Sequence, residues 1–261
     1  MSENEKPKKK KLTKAGRYLL DAVLVISLCT AAFSGWKLYE GLKAYNDSKD
    51  SYAKLKETAS VKAEKTGSAE EQSEENTVDY AAMKEINPDF GGWISLEDSS
   101  IDYPFVYGQD NEYYLYHLFT GEYNRSGCIF IDAQNNRGFE DKVTVFYGHH
   151  MRNGTMFADI ENYKDPSYYE THKEIRILTE DGEYSAYPVA GFVTNGNVAY
   201  IEFDFTDDQA FMDYVNGYIA NSDFSSQETV EADDQIVLFS TCSYDVADGR
   251  YVLMAKLVRT R

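Results

Sequence analysis

Short apolar runs alternate with turn-forming residues throughout the part of the chain that follows residue 80. β-Branched and aromatic side chains dominate these runs, a composition typical of β-strands. Turn-favouring pairs such as Asp181-Gly182 lie between them. The pattern predicts eight strands: Gly91–Leu96, Ile101–Tyr107, Gly127–Asp132, Lys142–Tyr147, Glu174–Thr179, Tyr184–Thr194, Gln235–Ser240 and Tyr251–Val258.

Two helical patterns interrupt these strands. Tyr80–Ile86 predicts a short helix that ends before Pro88. A second helix is predicted over Asp207–Asn221, because Asp207 can cap its first turn and apolar residues follow at helical spacing: Phe211, Tyr214, Val215, Tyr218 and Ile219. Eight short strands with few helical inserts favour a mainly β fold, a closed or nearly closed eight-stranded β-barrel.

The N-terminal part of the chain has a different pattern. Residues 18–36 form an apolar stretch in which only Asp21 is charged. As a helix, nineteen residues span roughly 28 Å, close to the thickness of a bilayer core of about 30 Å. A lysine-rich cluster precedes the stretch, so a single membrane-spanning helix with a cytoplasmic N-terminus is predicted. The alternative is a cleaved signal peptide, with Ala31-Ala32-Phe33-Ser34-Gly35 as an approximate cleavage site; in both cases the rest of the chain is exported.

These patterns divide the chain into four parts. Residues 1–17 form a basic cytoplasmic tail, and residues 18–36 a transmembrane signal-anchor. Residues 37–79 form a spacer, whose first part can continue the helix outward and whose second part is rich in Glu, Lys, Ser, Ala and Thr. Residues 80–261 form the barrel domain. The predicted location is the cell membrane, with the barrel domain outside the cell.

Charge is distributed unevenly. Six lysines and Arg17 against two glutamates give residues 1–17 a net charge of +5, so the remainder carries −23 and the whole chain −18. Such an acidic body argues against nucleic acid as a partner, because phosphate binding needs clustered Lys and Arg. The histidines and cysteines lack metal-ligand spacing, so neither a metal site nor a cofactor is predicted.

The chain has three cysteines, in different settings. Cys29 lies in the apolar stretch, and Cys128, between Gly127 and Ile129, is interpreted as a small buried apolar residue. Cys242 ends the apolar run that begins at Gln235 and is flanked by polar residues, as expected at a strand end. Taken alone, Cys242 is equally compatible with a packed core position.

An imidazole and a guanidinium are also expected at strand ends. His149 and His150 follow the strand that ends at Tyr147, and Arg250 follows Cys242 by eight residues. Adjacent residues of an extended segment face opposite sides, so at most one histidine should meet the thiol, and pattern alone leaves the choice open. Arg250 taken alone is better explained by a surface ion pair with the aspartates before it. Together, thiol, imidazole and guanidinium are the groups that acyl transfer through a thioester requires.

The motifs around these residues resemble those of the sortase family, specifically class B. Leu238-Phe239-Ser240-Thr241-Cys242 resembles the family's TLxTC strand, with its first two residues altered, and Tyr147-Gly148-His149 resembles the Tyr-Gly-His segment of class B. By this match His149, Cys242 and Arg250 are the catalytic residues. Segments near Asn87-Pro88-Asp89 and Gly108-Gln109-Asp110-Asn111 also resemble class B. The resemblance covers residues 80–261.

The resemblance implies a membrane-anchored cysteine transpeptidase of Gram-positive bacteria. Such an enzyme cleaves a C-terminal sorting motif of surface proteins after threonine and joins the new carboxyl to an amine of a peptidoglycan precursor. The match assigns substrate-binding roles to seven residues: Asn111, Leu115, Tyr147, Ser240, Thr241, Tyr200 and Ile201. Two alternatives are a pilus-polymerising sortase, which joins proteins to a pilin lysine, and a noncatalytic, membrane-tethered barrel that binds wall components. A thiol-reactive probe separates enzyme from binder through the reactivity of Cys242.

Overall fold

The computed structural model describes residues 13–60 and 78–261. The chain divides after Asn46 into two compact units. Because the described residues begin at 13 and omit 61–77, most of the predicted basic tail and most of the second half of the predicted spacer lie outside them.

The first unit contributes a long helix, α1, which runs from Lys14 to Ala59 across the unit boundary. An 18-residue window of this helix has a mean hydropathy of 1.8, so the helix is long and apolar enough to cross a membrane. The hydroxyls of Ser27 and Thr30 each donate a 2.8 Å hydrogen bond to a carbonyl one turn back in the helix. These two hydroxyls are thus satisfied inside the helix, as an apolar environment would require.

The second unit is built on a closed barrel of eight strands in the order β1-β2-β3-β4-β7-β8-β6-β5. Neighbouring strands are antiparallel except for two parallel pairs, β2–β3 and β4–β7. The predicted barrel is confirmed, with strand ends that differ from the predicted ones by at most two residues. The strands are β1 Phe90–Leu96, β2 Asp102–Tyr107, β3 Ile129–Ile131, β4 Val143–Tyr147, β5 Ile175–Thr179, β6 Gly182–Asn195, β7 Gln235–Cys242 and β8 Gly249–Arg259.

Helices cover parts of the barrel. They are α2 (Tyr80–Ile86), α3 (Pro166–Thr171) and α4 (Asp208–Ala220), with two 3-10 helices at Tyr113–Leu115 and Ala158–Lys164. The predicted α4 forms as expected: the Asp207 side chain accepts a 2.9 Å hydrogen bond from the Ala210 amide. Its apolar face buries Phe211, Val215 and Tyr218 against the barrel core. The short helices after residue 112 and residue 157 carry no clear periodicity and were not predicted.

The last turns of α1 belong to the barrel's own unit. Tyr52, Leu55 and Ala59 are buried there, and the Tyr52 hydroxyl donates a 2.7 Å hydrogen bond to the Gly127 carbonyl. The Tyr52 ring also meets Tyr103 edge-on at 5.1 Å. These residues lie in the predicted spacer, although their spacing of three and four residues is that of a helix with one buried face.

Alkaline pH is expected to destabilise this unit. Burial raises the pKa of Tyr80 and Tyr214 to about 12 and raises the pKa of five further tyrosines well above their usual range: Tyr52, Tyr147, Tyr163, Tyr218 and Tyr251. Above about pH 10 the unfolded chain releases these protons and the folded chain retains them, so each such tyrosine lowers the free energy of unfolding by up to about 1.4 kcal/mol per pH unit. Urea unfolding at pH 9, 10 and 11 measures this slope. Equal unfolding free energies at pH 9 and 11 would contradict it.

Candidate active site

The parallel pairing of β4 and β7 brings the predicted catalytic segments to one end of the barrel. Tyr147 is in register with Ser240, so the residues that follow β4 and the end of β7 lie at the same edge. On the other side of β7, Cys242 is the antiparallel partner of Arg250. Directly opposed residues of neighbouring strands place their side chains on the same face, with β-carbons about 5 Å apart. Thiol and guanidinium therefore share one face, beside the segment that carries His149.

Hydrogen bonds continue this alignment past the end of β4. The Gly148 amide donates to the Ser240 carbonyl at 3.3 Å, and the Thr241 hydroxyl donates to the Gly148 carbonyl at 2.8 Å. The Thr241 side chain is buried and turned towards Gly148. In this position Thr241 joins the two segments that carry the predicted catalytic residues.

His149 is oriented by the backbone. Its Nε2 lies 2.8 Å from the carbonyl oxygen of Leu115, at the end of the first 3-10 helix. A carbonyl only accepts hydrogen bonds, so Nε2 carries a hydrogen and Nδ1 is the nitrogen that can exchange a proton. Leu115, predicted as a groove residue, thus also sets the tautomer of His149 through its main chain, which side-chain patterns do not reveal.

The two barrel cysteines differ sharply in their surroundings. Both are free thiols, but Cys128 is 1% exposed whereas Cys242 is partly exposed. Burial raises the pKa of the Cys128 thiol to about 12, so it remains a neutral, packed group. Cys128 is therefore the small buried residue that the sequence predicts, and Cys242 is the accessible thiol of the barrel.

A buried carboxylate joins two of the predicted substrate-binding residues. Asp132, which is 3% exposed, accepts hydrogen bonds from the Tyr147 hydroxyl at 2.8 Å and from the Asn111 amide at 3.1 Å. Asn111 in turn accepts a 2.8 Å hydrogen bond from the Ala133 amide. Burial, reinforced by the Asp132 charge, raises the pKa of Tyr147. Asp132 is not among the predicted site residues, because an aspartate at the end of a short apolar run is typical of an ordinary turn.

Tyr200 joins the loop between β6 and α4 to the catalytic strand. Its hydroxyl lies 3.0 Å from the Ser240 hydroxyl, and its carbonyl accepts hydrogen bonds from the hydroxyls of Tyr214 (3.0 Å) and Tyr218 (2.6 Å) on α4. Burial raises the pKa of Tyr200, and the positive charge of Arg250 opposes this shift. Its neighbour Ile201 is partly buried against the core residues that include Phe211, Val215 and Tyr218 of α4. Of the predicted site residues, Ser240 and Tyr200 are thus in contact at the β7 edge.

The closed barrel thus presents a free thiol and a guanidinium on one face, beside the segment of an oriented imidazole, the groups that a cysteine acyltransferase requires. The chain belongs to the sortase family, since the sortase domain model matches residues 95–258. Sortases are cysteine transpeptidases, and this chain is one of them, of the class B type.

Individual relatives agree with this assignment. Sortase B of Listeria monocytogenes is 31% identical over 252 residues, covering 92% of this chain and 97% of the Listeria protein. Sortase B of Staphylococcus aureus, solved as a substrate complex, superposes with a TM-score of 0.67 at 33% identity, covering 70% of this chain and 85% of that chain. Sortase B of Bacillus anthracis superposes with a TM-score of 0.70 at 32% identity, covering 84% of this chain and 99% of that chain.

Substitution of Gly148 by alanine is expected to lower stability. A β-carbon at residue 148 would lie 2.6 Å from the buried ring of Phe157, so either the ring or the segment before His149 must move. Overpacking of this kind costs about 1–3 kcal/mol. The control is Gly217→Ala, where the same atom meets nothing within 4 Å and alanine is the better helix former. Urea unfolding measures the free energy of unfolding of both variants. Equal values for Gly148→Ala and Gly217→Ala would refute the proposed steric need for glycine at residue 148.

Proposed function

We propose that this protein is a membrane-anchored transpeptidase that cleaves a C-terminal sorting motif after threonine and transfers the acyl group to an amine of a peptidoglycan precursor. The single observation that carries the proposal is the direct cross-strand pairing of Cys242 with Arg250, next to the segment that carries His149. The pairing supplies a nucleophile and a cation to the same carbonyl group.

In the first step, the Cys242 thiolate attacks the scissile carbonyl carbon of the threonine. The carbonyl oxygen becomes an oxyanion, and Arg250 is the charged donor available to stabilise it. Collapse of the tetrahedral intermediate breaks the C–N bond, and the leaving amine takes a proton from Nδ1 of His149. The product is a thioester on Cys242.

In the second step, an incoming amine attacks the thioester carbonyl and loses a proton to His149. Arg250 stabilises the second oxyanion, and the Cys242 thiolate leaves. The proton that His149 lends in the first step is thus returned in the second, and an amide bond replaces the one that was cleaved. Leu115 acts in both steps, because its carbonyl keeps the Nε2 hydrogen in place and leaves Nδ1 for proton transfer.

The groove for the sorting motif is proposed to run along the β4 and β7 edge. Tyr147 and Asn111, held by Asp132, offer polar groups on one side, and Tyr200 with Ile201 forms the other. Ser240 lies beneath Tyr200, and Thr241 supports the groove from inside the barrel. The S. aureus relative solved with substrate and the sortase B structure complexed with triglycine support a peptide and an amine as the two ligand classes.

The membrane anchor is proposed to be the apolar part of α1, residues 18–36. Its length and hydropathy fit a bilayer, and the basic residues before it favour a cytoplasmic N-terminus. The spacer, residues 37–79, and the barrel domain, residues 80–261, would then lie outside the cell.

The test is to incubate the full chain in detergent micelles with a pentapeptide library and an amine acceptor, and to identify ligated products by mass spectrometry. The proposal requires products in which the acceptor amine is joined to a threonine carboxyl. Hydrolysis or ligation at another residue, or an absence of products, would refute it.

A further inference from the structure

His150 is a histidine that the proposed chemistry does not use. It follows His149 directly and forms an isolated antiparallel bridge with Met156, so its backbone is extended. Adjacent side chains of an extended segment point to opposite sides, and the His150 ring is therefore directed away from that of His149.

The His150 ring contacts the end of β7 and the second 3-10 helix through its Nδ1 atom. Its Nδ1 lies 3.1 Å from the carbonyl oxygen of Cys242 and 2.7 Å from Oε2 of Glu161. Both atoms are acceptors, so Nδ1 carries a hydrogen that is shared between them. One hydrogen thus connects the segment after β4, the last peptide group of β7 and the second 3-10 helix (Ala158–Lys164).

Glu161 also contacts two other residues. Its Oε1 accepts a 2.6 Å hydrogen bond from the hydroxyl of Ser243, the residue directly after Cys242, and forms an ion pair with Lys164. Lys164 also reaches Ser243 at 3.2 Å and Asp245 at 2.7 Å. The side chains of Glu161 and His150 are only 15% and 18% exposed, so water screens these contacts weakly.

The network therefore holds the backbone at the Cys242 carbonyl and at Ser243, which follows it. The Cys242 carbonyl accepts a hydrogen bond from His150, the residue after His149, and the Ser243 hydroxyl donates to Glu161, whose carboxylate also pairs with His150. Loss of these contacts is expected to shift the thiol relative to the imidazole. A misplacement of about 1 Å at a reacting centre can cost about 100-fold in rate.

We infer that His150 and Glu161 are positioning residues that set the separation of the Cys242 thiol from the His149 imidazole. The inference rests on the proposed function for its kinetic consequence, but its geometric content concerns only this chain. Neither residue touches substrate, and both act through the backbone of the two residues that do.

The variants that test this are His150→Ala, His150→Asn, Glu161→Ala and the double variant His150→Ala/Glu161→Ala. The asparagine amide can present an N–H close to the place of Nδ1, so it should restore what alanine removes. The matched control is Asp234→Ala, which breaks an ion pair of 2.7 Å with Lys256, of similar burial, at the other end of β7.

With the full chain in detergent micelles, kcat and KM for peptide ligation and the alkylation rate of Cys242 by iodoacetamide are measured for each variant. His150→Ala is expected to lower kcat about 10-fold or more, with KM changed by less than about twofold. His150→Asn should recover most of kcat, and the double variant should be no worse than the poorer single variant. Asp234→Ala should lose thermal stability without loss of kcat.

Three results would overturn the inference: an unchanged kcat in His150→Ala, an asparagine variant no better than alanine, or losses that multiply in the double variant. The alkylation rate separates this inference from the proposed function. If the unaltered chain ligates no peptide, the proposed function fails, and the inference is then decided by alkylation alone. If Cys242 is alkylated more slowly in His150→Ala and at the original rate in His150→Asn, the inference is supported. Equal alkylation rates in all variants refute the inference.

Discussion

Replacement of Cys242 by alanine is expected to abolish peptide ligation, with a loss of at least about 10⁴-fold in kcat. The reason is chemical: without the sulfur no thioester forms, and among the described residues no other thiol is accessible at this end of the barrel, since Cys128 is buried. The measurement is the rate of product formation from a sorting-motif peptide and an amine, followed by mass spectrometry.

The control for this variant is Cys128→Ala. It removes the other barrel thiol, which is 1% exposed and donates weakly to the Ile129 carbonyl at 3.4 Å. Cys128→Ala should retain turnover with a modest loss of stability, because only one sulfur atom leaves the core. If Cys242→Ala keeps a tenth of the activity of the unaltered protein, Cys242 is not the nucleophile.

The second large effect is expected at Arg250. Arg250→Ala removes the cation opposite Cys242, so kcat should fall by about 10²- to 10³-fold, the usual loss for one oxyanion donor. Arg250→Lys keeps the charge but loses the planar fork, and it should recover only part of the rate. KM should change little, because the oxyanion exists only after attack.

Arg259→Ala is the matched control for Arg250, because Arg259 is an exposed arginine at the opposite end of the same strand, β8. Its guanidinium contacts the carbonyls of Asp181 and Arg261, far along the strand from Cys242. It should ligate peptide at the rate of the unaltered protein. Comparable losses in Arg250→Ala and Arg259→Ala would mean that a guanidinium on this strand matters for stability rather than for the oxyanion.

Much of the fold could be predicted from the sequence because period-two apolar runs and turn residues are local signals. The runs that end at Tyr147 and Cys242 also marked the segments that the β4–β7 pairing brings together. What the pattern could not give was the choice between His149 and His150. That choice depends on which ring meets the Leu115 carbonyl and which meets Glu161, two contacts between residues far apart in the chain.

Residues that support the proposed catalytic groups are harder to predict from the sequence than those groups themselves. Asp132 and Glu161 are carboxylates in segments that resemble ordinary polar turns, and only the folded chain brings them to Tyr147 and His150. Tyr52 is a different case: it lies with Leu55 in the part of the spacer predicted to continue the helix, but no local signal indicates which surface buries their shared face. Burial of that face depends on a barrel that begins more than thirty residues later.

The most direct test of the central claim is to trap the acyl-enzyme. The protein is mixed with a sorting-motif peptide without an amine acceptor, quenched in acid and digested, and the modified peptide is sequenced by mass spectrometry. The account predicts that the acyl group, ending in threonine, is attached to Cys242 and is released by an added amine. An acyl group on any other residue, or an unmodified Cys242 in a protein that is ligating peptides, would contradict it.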